Sequence, residues 1–146
     1  MKIIPPLFAL ITVILLAGCN TTSPHRDVAV LPLPPTNAVL LAPPQSAEAT
    51  QAARSFLQAV RNKDWTAVTR FWPPKAQSHF DDIFTEQTKS LVGGLEIVSL
   101  GKPYNEGLHT WVFVPYIVQF KNGGIQTNNL RIEKQTDGHW IWEGGF

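Results

Sequence analysis

A chain of 146 residues and 16.2 kDa has room for one ordinary domain once any targeting segment is set aside, and is too short for a two-domain enzyme. With 44% hydrophobic and 16% charged residues and a formal net charge of +1, it has neither the basic excess of a nucleic-acid binder nor an acidic tail. The single cysteine, Cys19, excludes an internal disulfide, a paired-thiol redox motif and a multi-thiolate metal site. Twelve prolines, crowded between Pro24 and Pro44, set the first third of the chain apart from the rest, with the boundary near Ser46, so that 48–146 is the expected domain.

Residues 1–18 begin with a positive charge at Lys2, continue as an apolar run from Ile3 to Ala17, and end in small residues. That layout predicts a cleaved signal peptide rather than a permanent span, because Pro5 and Pro6 leave too few apolar residues to cross a bilayer core as one helix. Leu16-Ala17-Gly18-Cys19 resembles the bacterial lipobox. The resemblance implies cleavage before Cys19, acylation of its thiol by palmitate-like chains, and acylation of the new amino group. Each buried methylene contributes about 0.8 kcal/mol, so two or three such chains anchor where one binds only reversibly. By the same sorting rules Asn20, in place of the aspartate that favours the inner membrane, implies the outer membrane, facing the periplasm.

From Asn20 to Ala47 there is no helical period, and the prolines predict a disordered tether. About 28 residues span roughly 30 Å as a coil and at most about 87 Å when fully extended as polyproline. A purely solvated spacer does not favour apolar clusters. This one carries two, and Val28, Val30, Leu31, Val39, Leu40 and Leu41 are the predicted partner-binding residues.

Ser46 is the expected N-cap of a first helix, with Ala49, Ala52, Ala53, Phe56, Leu57 and Val60 on its buried side. Asp64 is expected to cap a short second helix that buries Trp65, Val68, Phe71 and Trp72 and stops at Pro73-Pro74. A third helix is expected from Ser78 to Gly93, burying Phe80, Ile83, Phe84 and Leu91. Beyond Gly94 the pattern shifts to four strands rich in Val, Ile, Trp and Tyr, joined at Asn105-Glu106-Gly107, Asn122-Gly123-Gly124 and Thr136-Asp137-Gly138. In the last hairpin a three-residue loop with Gly138 left-handed pairs Ile132 with Trp142 and Arg131 with Glu143. That register puts Leu130, Ile132, Trp140 and Trp142 on the core face. The strand around 109–121 is apolar on both faces from Trp111 to Val118, so alternation leaves its register open. Pro115 lacks a donor and is expected at an edge or a bulge.

Helices first and a curled antiparallel sheet after, with AARSFLQAVRNKDWTAVTRFW, FVPYIVQFKNGG and LRIEKQTDGHWIWEGG as the sequences, resembles the nuclear transport factor 2-like superfamily over roughly Ala47 to Phe146. The Lys63-Asp64-Trp65 turn is similar to that of its small lipoprotein members. The resemblance implies an α+β domain over 48–146, with a sheet of about four strands wrapping the helices into a cone open at one end. It also implies that members pair through the outer sheet face.

Chemistry is sparse. His79 and Asp82, three apart on one helix beside Asp81, form the only acid/base or metal-like spacing, and they fit a solvated helix face better because no third ligand stands at a set distance. His109 and His139 stand beside turns, and no serine sits in a nucleophile elbow. The glycine pairs follow no phosphate-loop spacing. Five tryptophans suit core packing. Trp65, Trp72, Tyr116, Trp140 and Trp142 would line an apolar pocket if the cone is open. The expectation is a non-enzymatic binding or assembly module in the bacterial envelope, without metal or cofactor, whose partners are the membrane and an envelope protein or a second copy, not nucleic acid. The alternative is a carrier of a small hydrophobic ligand, or an enzyme, using the cone pocket.

Overall fold

The computed structural model describes residues 28–107 and 109–146. The predicted signal peptide, Cys19 and the start of the tether lie outside them. The described chain is α+β, with four α-helices and a 3-10 turn on one side of an open, six-stranded antiparallel sheet. Three helices and four strands were expected.

Helix α1 spans Pro43–Arg61 and begins three residues before Ser46. Pro43 and Pro44 occupy its first turn, where a missing N–H costs nothing because that group has no intrahelical acceptor. Ser46 therefore lies inside the helix, its N–H donating to the Ala42 carbonyl at 2.8 Å. The expected buried side is correct at Ala49, Ala52, Ala53, Phe56, Leu57 and Val60. Helix α2, Trp65–Thr69, starts as expected at Asp64, whose carboxylate accepts the Ala67 N–H at 3.0 Å.

The expected third helix is broken. A 3-10 turn over Pro74–His79 leads into α3, Phe80–Ile83, and a separate α4, Glu86–Val92. Phe84 leaves helical geometry at ψ 68°, and the Thr85 hydroxyl then caps α4 by accepting the Thr88 N–H at 3.2 Å. The break turns α4 relative to α3. Phe80 and Phe84 are buried, whereas Ile83 and Leu91, expected beside them, are exposed.

The sheet consists of β1 (Val39–Leu40), β2 (Glu96–Leu100), β3 (Tyr104–Asn105), β4 (Trp111–Gln119), β5 (Ile125–Lys134) and β6 (Trp140–Gly144). Its order is β1-β3-β4-β5-β6, with β2 also paired to β4. The last part of the expected tether is thus ordered, since Val39 pairs with Asn105 and Leu40 with Tyr104 as an edge strand. Strands β2 and β3 share one flank of β4, separated where Pro115 meets Gly101. The Pro115 carbonyl accepts the Gly101 N–H at 2.7 Å. A residue's N and C=O point to the same side of an antiparallel strand, so the missing donor of Pro115 faces this gap. A Cβ on Gly101 would stand 2.8 Å from the Pro115 Cβ, so the pair requires glycine.

The β5–β6 hairpin has the three-residue loop, with Gly138 at φ 89° and Ile132 opposite Trp142. One expected pair is wrong: Arg131 lies opposite Gly144, and Glu143 is the extra residue of a bulge.

Strand β4 turns Val112, Val114, Tyr116 and Val118 into the core against α1, with Leu130 and Ile132 beside them on β5. Its other face is covered within the single chain. Pro115 and Ile117 are buried and Trp111 and Phe113 half-buried, with Tyr104 stacked on Phe113 at 5.3 Å. Ile125, on the same outer face of the neighbouring β5, is exposed.

Candidate functional site

The space between helices and sheet is filled by aromatic rings. Trp72 and Trp142 lie 4.5 Å apart, Phe56 stacks on Trp142 at 6.0 Å, and Phe146 enters between Phe56 at 5.5 Å and Phe84 at 6.2 Å. Tyr116 is fully buried, donating its hydroxyl proton to the Gly145 carbonyl at 2.9 Å and accepting from Gln126 Nε2 at 2.8 Å. Burial pushes its phenol well above the usual value. Of the five residues expected to line a pocket, Trp72, Trp142 and Tyr116 pack into this core, and Trp65 tilts against Phe84 at 6.1 Å.

Trp140 alone reaches an opening. A groove of about 860 Å³ runs between α1, the end of α2 and the β5–β6 hairpin. Helix α1 supplies Glu48, Ala52, Ser55 and Ala59, which recur every three or four residues and so form one stripe along its side, with Gln51 at its margin. The end of α2 contributes Ala67, Arg70 and Phe71, and the hairpin Lys134, His139 and Trp140. Small side chains make the floor, and Phe71 and Trp140 give it aromatic surface. Lys134 spans the groove to Glu48, Nζ to Oε2 2.5 Å, with both side chains about half-exposed. The same ammonium lies 6.0 Å from the Trp140 ring centre. His139 is held by Asp137, whose carboxylate accepts its backbone N–H at 3.1 Å and pairs with its ring Nδ1 at 2.9 Å. Those contacts, the backbone one first, hold the Asp137 carboxyl below its ordinary value. Arg70 has no ion-pair partner among the described residues.

This groove was not legible in the sequence. Its residues come from three segments up to 93 positions apart, and the only local signal is the small-residue stripe on α1.

The expected partner-binding residues are placed differently from one another. Val28 is 81% exposed, Val30 69%, Val39 55% and Leu40 57%. Leu31 is half-buried, and Leu41 packs against the core. Leu33, which sequence reasoning passed over, is more open than any of them at 85%.

His79 Nδ1 and Asp82 Oδ2 are 3.0 Å apart, both largely exposed, as a solvated face requires. Asp81 instead pairs with Lys89 at 2.7 Å. Among the described residues no three of His, Cys, Asp or Glu gather where a metal ion would sit, and no helix is long and apolar enough to cross a membrane. His109 stacks on Trp111 at 4.6 Å, and the Arg131 guanidinium lies 4.4 Å from the same ring.

The chain matches no family model, no curated protein and no solved structure.

Proposed function

We propose that this chain is an exported bacterial lipoprotein. In this reading the signal peptide, 1–18, is removed before an acylated Cys19, which holds the chain on the outer membrane, facing the periplasm. The domain behind it is a nuclear transport factor 2-like cone. It acts without catalysis, as a binding or assembly module that meets an envelope protein or a second copy through the segment from Val28 to Leu41.

One observation carries the docking role. Five of the nine large apolar side chains exposed among the described residues, at Val28, Val30, Leu33, Val39 and Leu40, fall in the short stretch before α1. Extended apolar segments of this kind add to a partner's sheet edge or lie in an aromatic groove. Burying one valine or leucine contributes about 1.5–3 kcal/mol, so a few of them suffice for specific recruitment.

The test joins anchor and docking. Palmitate is expected to label the native chain and not the Cys19→Ser variant, and mass spectrometry is expected to find the acyl chains on Cys19. Crosslinking in intact envelopes is expected to recover a specific partner, and serine at Val28, Val30 and Leu31 is expected to lower the yield at least about tenfold. A free, unmodified amino terminus would overturn the anchor, and an unchanged yield from the serine variant would overturn the docking segment.

The groove supports a second reading, a carrier of a small apolar ligand. Its volume of about 860 Å³ lies within the range of about 300–1,000 Å³ that such sites occupy.

A further inference from the structure

We propose that the groove between α1, α2 and the β5–β6 hairpin binds an anionic amphiphile, an apolar body with one carboxylate or phosphate at its end. The proposal rests on the carrier reading and is independent of docking through Val28 to Leu41, since none of those residues lines the groove.

Two features of the lining select this chemistry. Alanines and Ser55 keep the floor low, and Phe71 and Trp140 add aromatic surface, so a flexible or flat apolar body finds contact without displacing a core side chain. The charges select the head. Arg70, Lys134 and His139 line the groove with one carboxylate, Glu48, and the Asp137 carboxylate pairs with the His139 ring at 2.9 Å. Lys134 is engaged by Glu48, and Arg70 by no carboxylate among the described residues. An entering carboxylate or phosphate has Arg70 as a planar donor and takes Lys134 in exchange for Glu48. A cation finds no unengaged carboxylate in the lining, because Glu48 is held by Lys134 and the nearby Asp137 by His139, and an uncharged body leaves the Glu48–Lys134 pair in place.

The full chain, held in phosphatidylcholine nanodiscs, is irradiated with a dodecanoate that carries a diazirine, and the labelled peptides are mapped by mass spectrometry. Label is expected on the α1 stripe and on the hairpin at residues 138–140, and excess dodecanoate is expected to compete it away. The dodecanol analogue, and the chain with Arg70→Gln and Lys134→Gln together, are expected to give at least about fivefold less label. Ser55→Trp is expected to block the groove. Glu48→Gln is expected to raise labelling about twofold or more by freeing Lys134, with the gain confined to the α1 stripe and residues 138–140, whereas misfolding would spread label over the exposed core. Replacing phosphatidylcholine by phosphatidylglycerol separates the sources: competition by that bilayer assigns the head to a lipid, and its failure assigns it to a free acid. Equal labelling by acid and alcohol, label centred on residues 28–41, or a fall in labelling with Glu48→Gln would overturn the proposal. Each of these results would leave partner recovery through the docking segment unchanged.

Discussion

Gly145 and Gly123 have almost the same backbone, φ 83° and 85°, in different surroundings. A side chain on Gly123 meets nothing within 4 Å, while a Cβ on Gly145 would fall on the Asn129 carbonyl oxygen. Left-handed backbone alone costs about 1–2 kcal/mol for a residue with a Cβ. Gly123→Ala is therefore expected to lose about that much stability in urea melts, and Gly145→Ala clearly more. Equal losses would mean that the chain does not pass closely over β5 at Asn129. The sequence marks both positions as glycines in the same way. Open space around one and a strand against the other are properties of neighbours 14 or more residues away, which no local pattern records. The same limit explains Glu143, whose place as a bulge follows from Arg131 folding back, its Nε donating to the Glu143 carbonyl at 3.2 Å.

Among the elements, those set by local geometry were legible and those set by pairing were not. The period of α1, the Asp64 cap and the Gly138 turn each depend on residues within one or two turns of chain. The break at Phe84 is also local, yet the Ser78–Gly93 pattern hides it, because Phe80, Phe84 and Leu91 fit one continuous helical face on paper. Strand β1 was marked only as an apolar cluster: two residues between prolines become a strand because β3 offers an edge. Its attachment is slight. The Leu41 N–H reaches the Pro103 carbonyl at 3.3 Å, and both strand side chains remain more than half exposed. By contrast β4 and β5 pair without interruption over nine positions. In hydrogen-exchange measurements the Leu41 amide is expected to exchange at least about 1,000-fold faster than amides of the β4–β5 ladder. Comparable protection would make β1 part of the cooperative unit rather than an edge that opens first.

At the scale of the whole molecule, Tyr116 ties β4, β5 and the chain beyond β6 together through Gln126 and Gly145. Its phenol is raised above the ordinary value of 10.0 by burial, so the folded state holds the proton more tightly than the unfolded state does. The stability this contributes is complete below pH 10 and falls as pH rises toward the folded value. Tyr116→Phe is expected to lower stability at neutral pH by about 1–3 kcal/mol, because two partners lose their hydrogen bond, and to flatten the alkaline decline. Tyr104, raised by burial and then by Glu106, and Lys89, raised by its bonds to Asp81 and Glu86, contribute to the decline that remains. A variant with the same alkaline curve as the native chain would remove Tyr116 from that role. Read by itself, the sequence determined the α+β class, the helical face of α1, the turns, and the contiguous Leu16-to-Cys19 pattern behind the export reading, because each resides in neighbouring residues whose backbone or covalent chemistry decides it. Only the tertiary structure decided that β4 is covered on both faces, that β1 joins the sheet, and that Glu48 and Lys134, 86 residues apart, close one groove. Burial and pairing are properties of segments brought together in space, and a one-dimensional period says which side of a strand is apolar without saying what will lie against it.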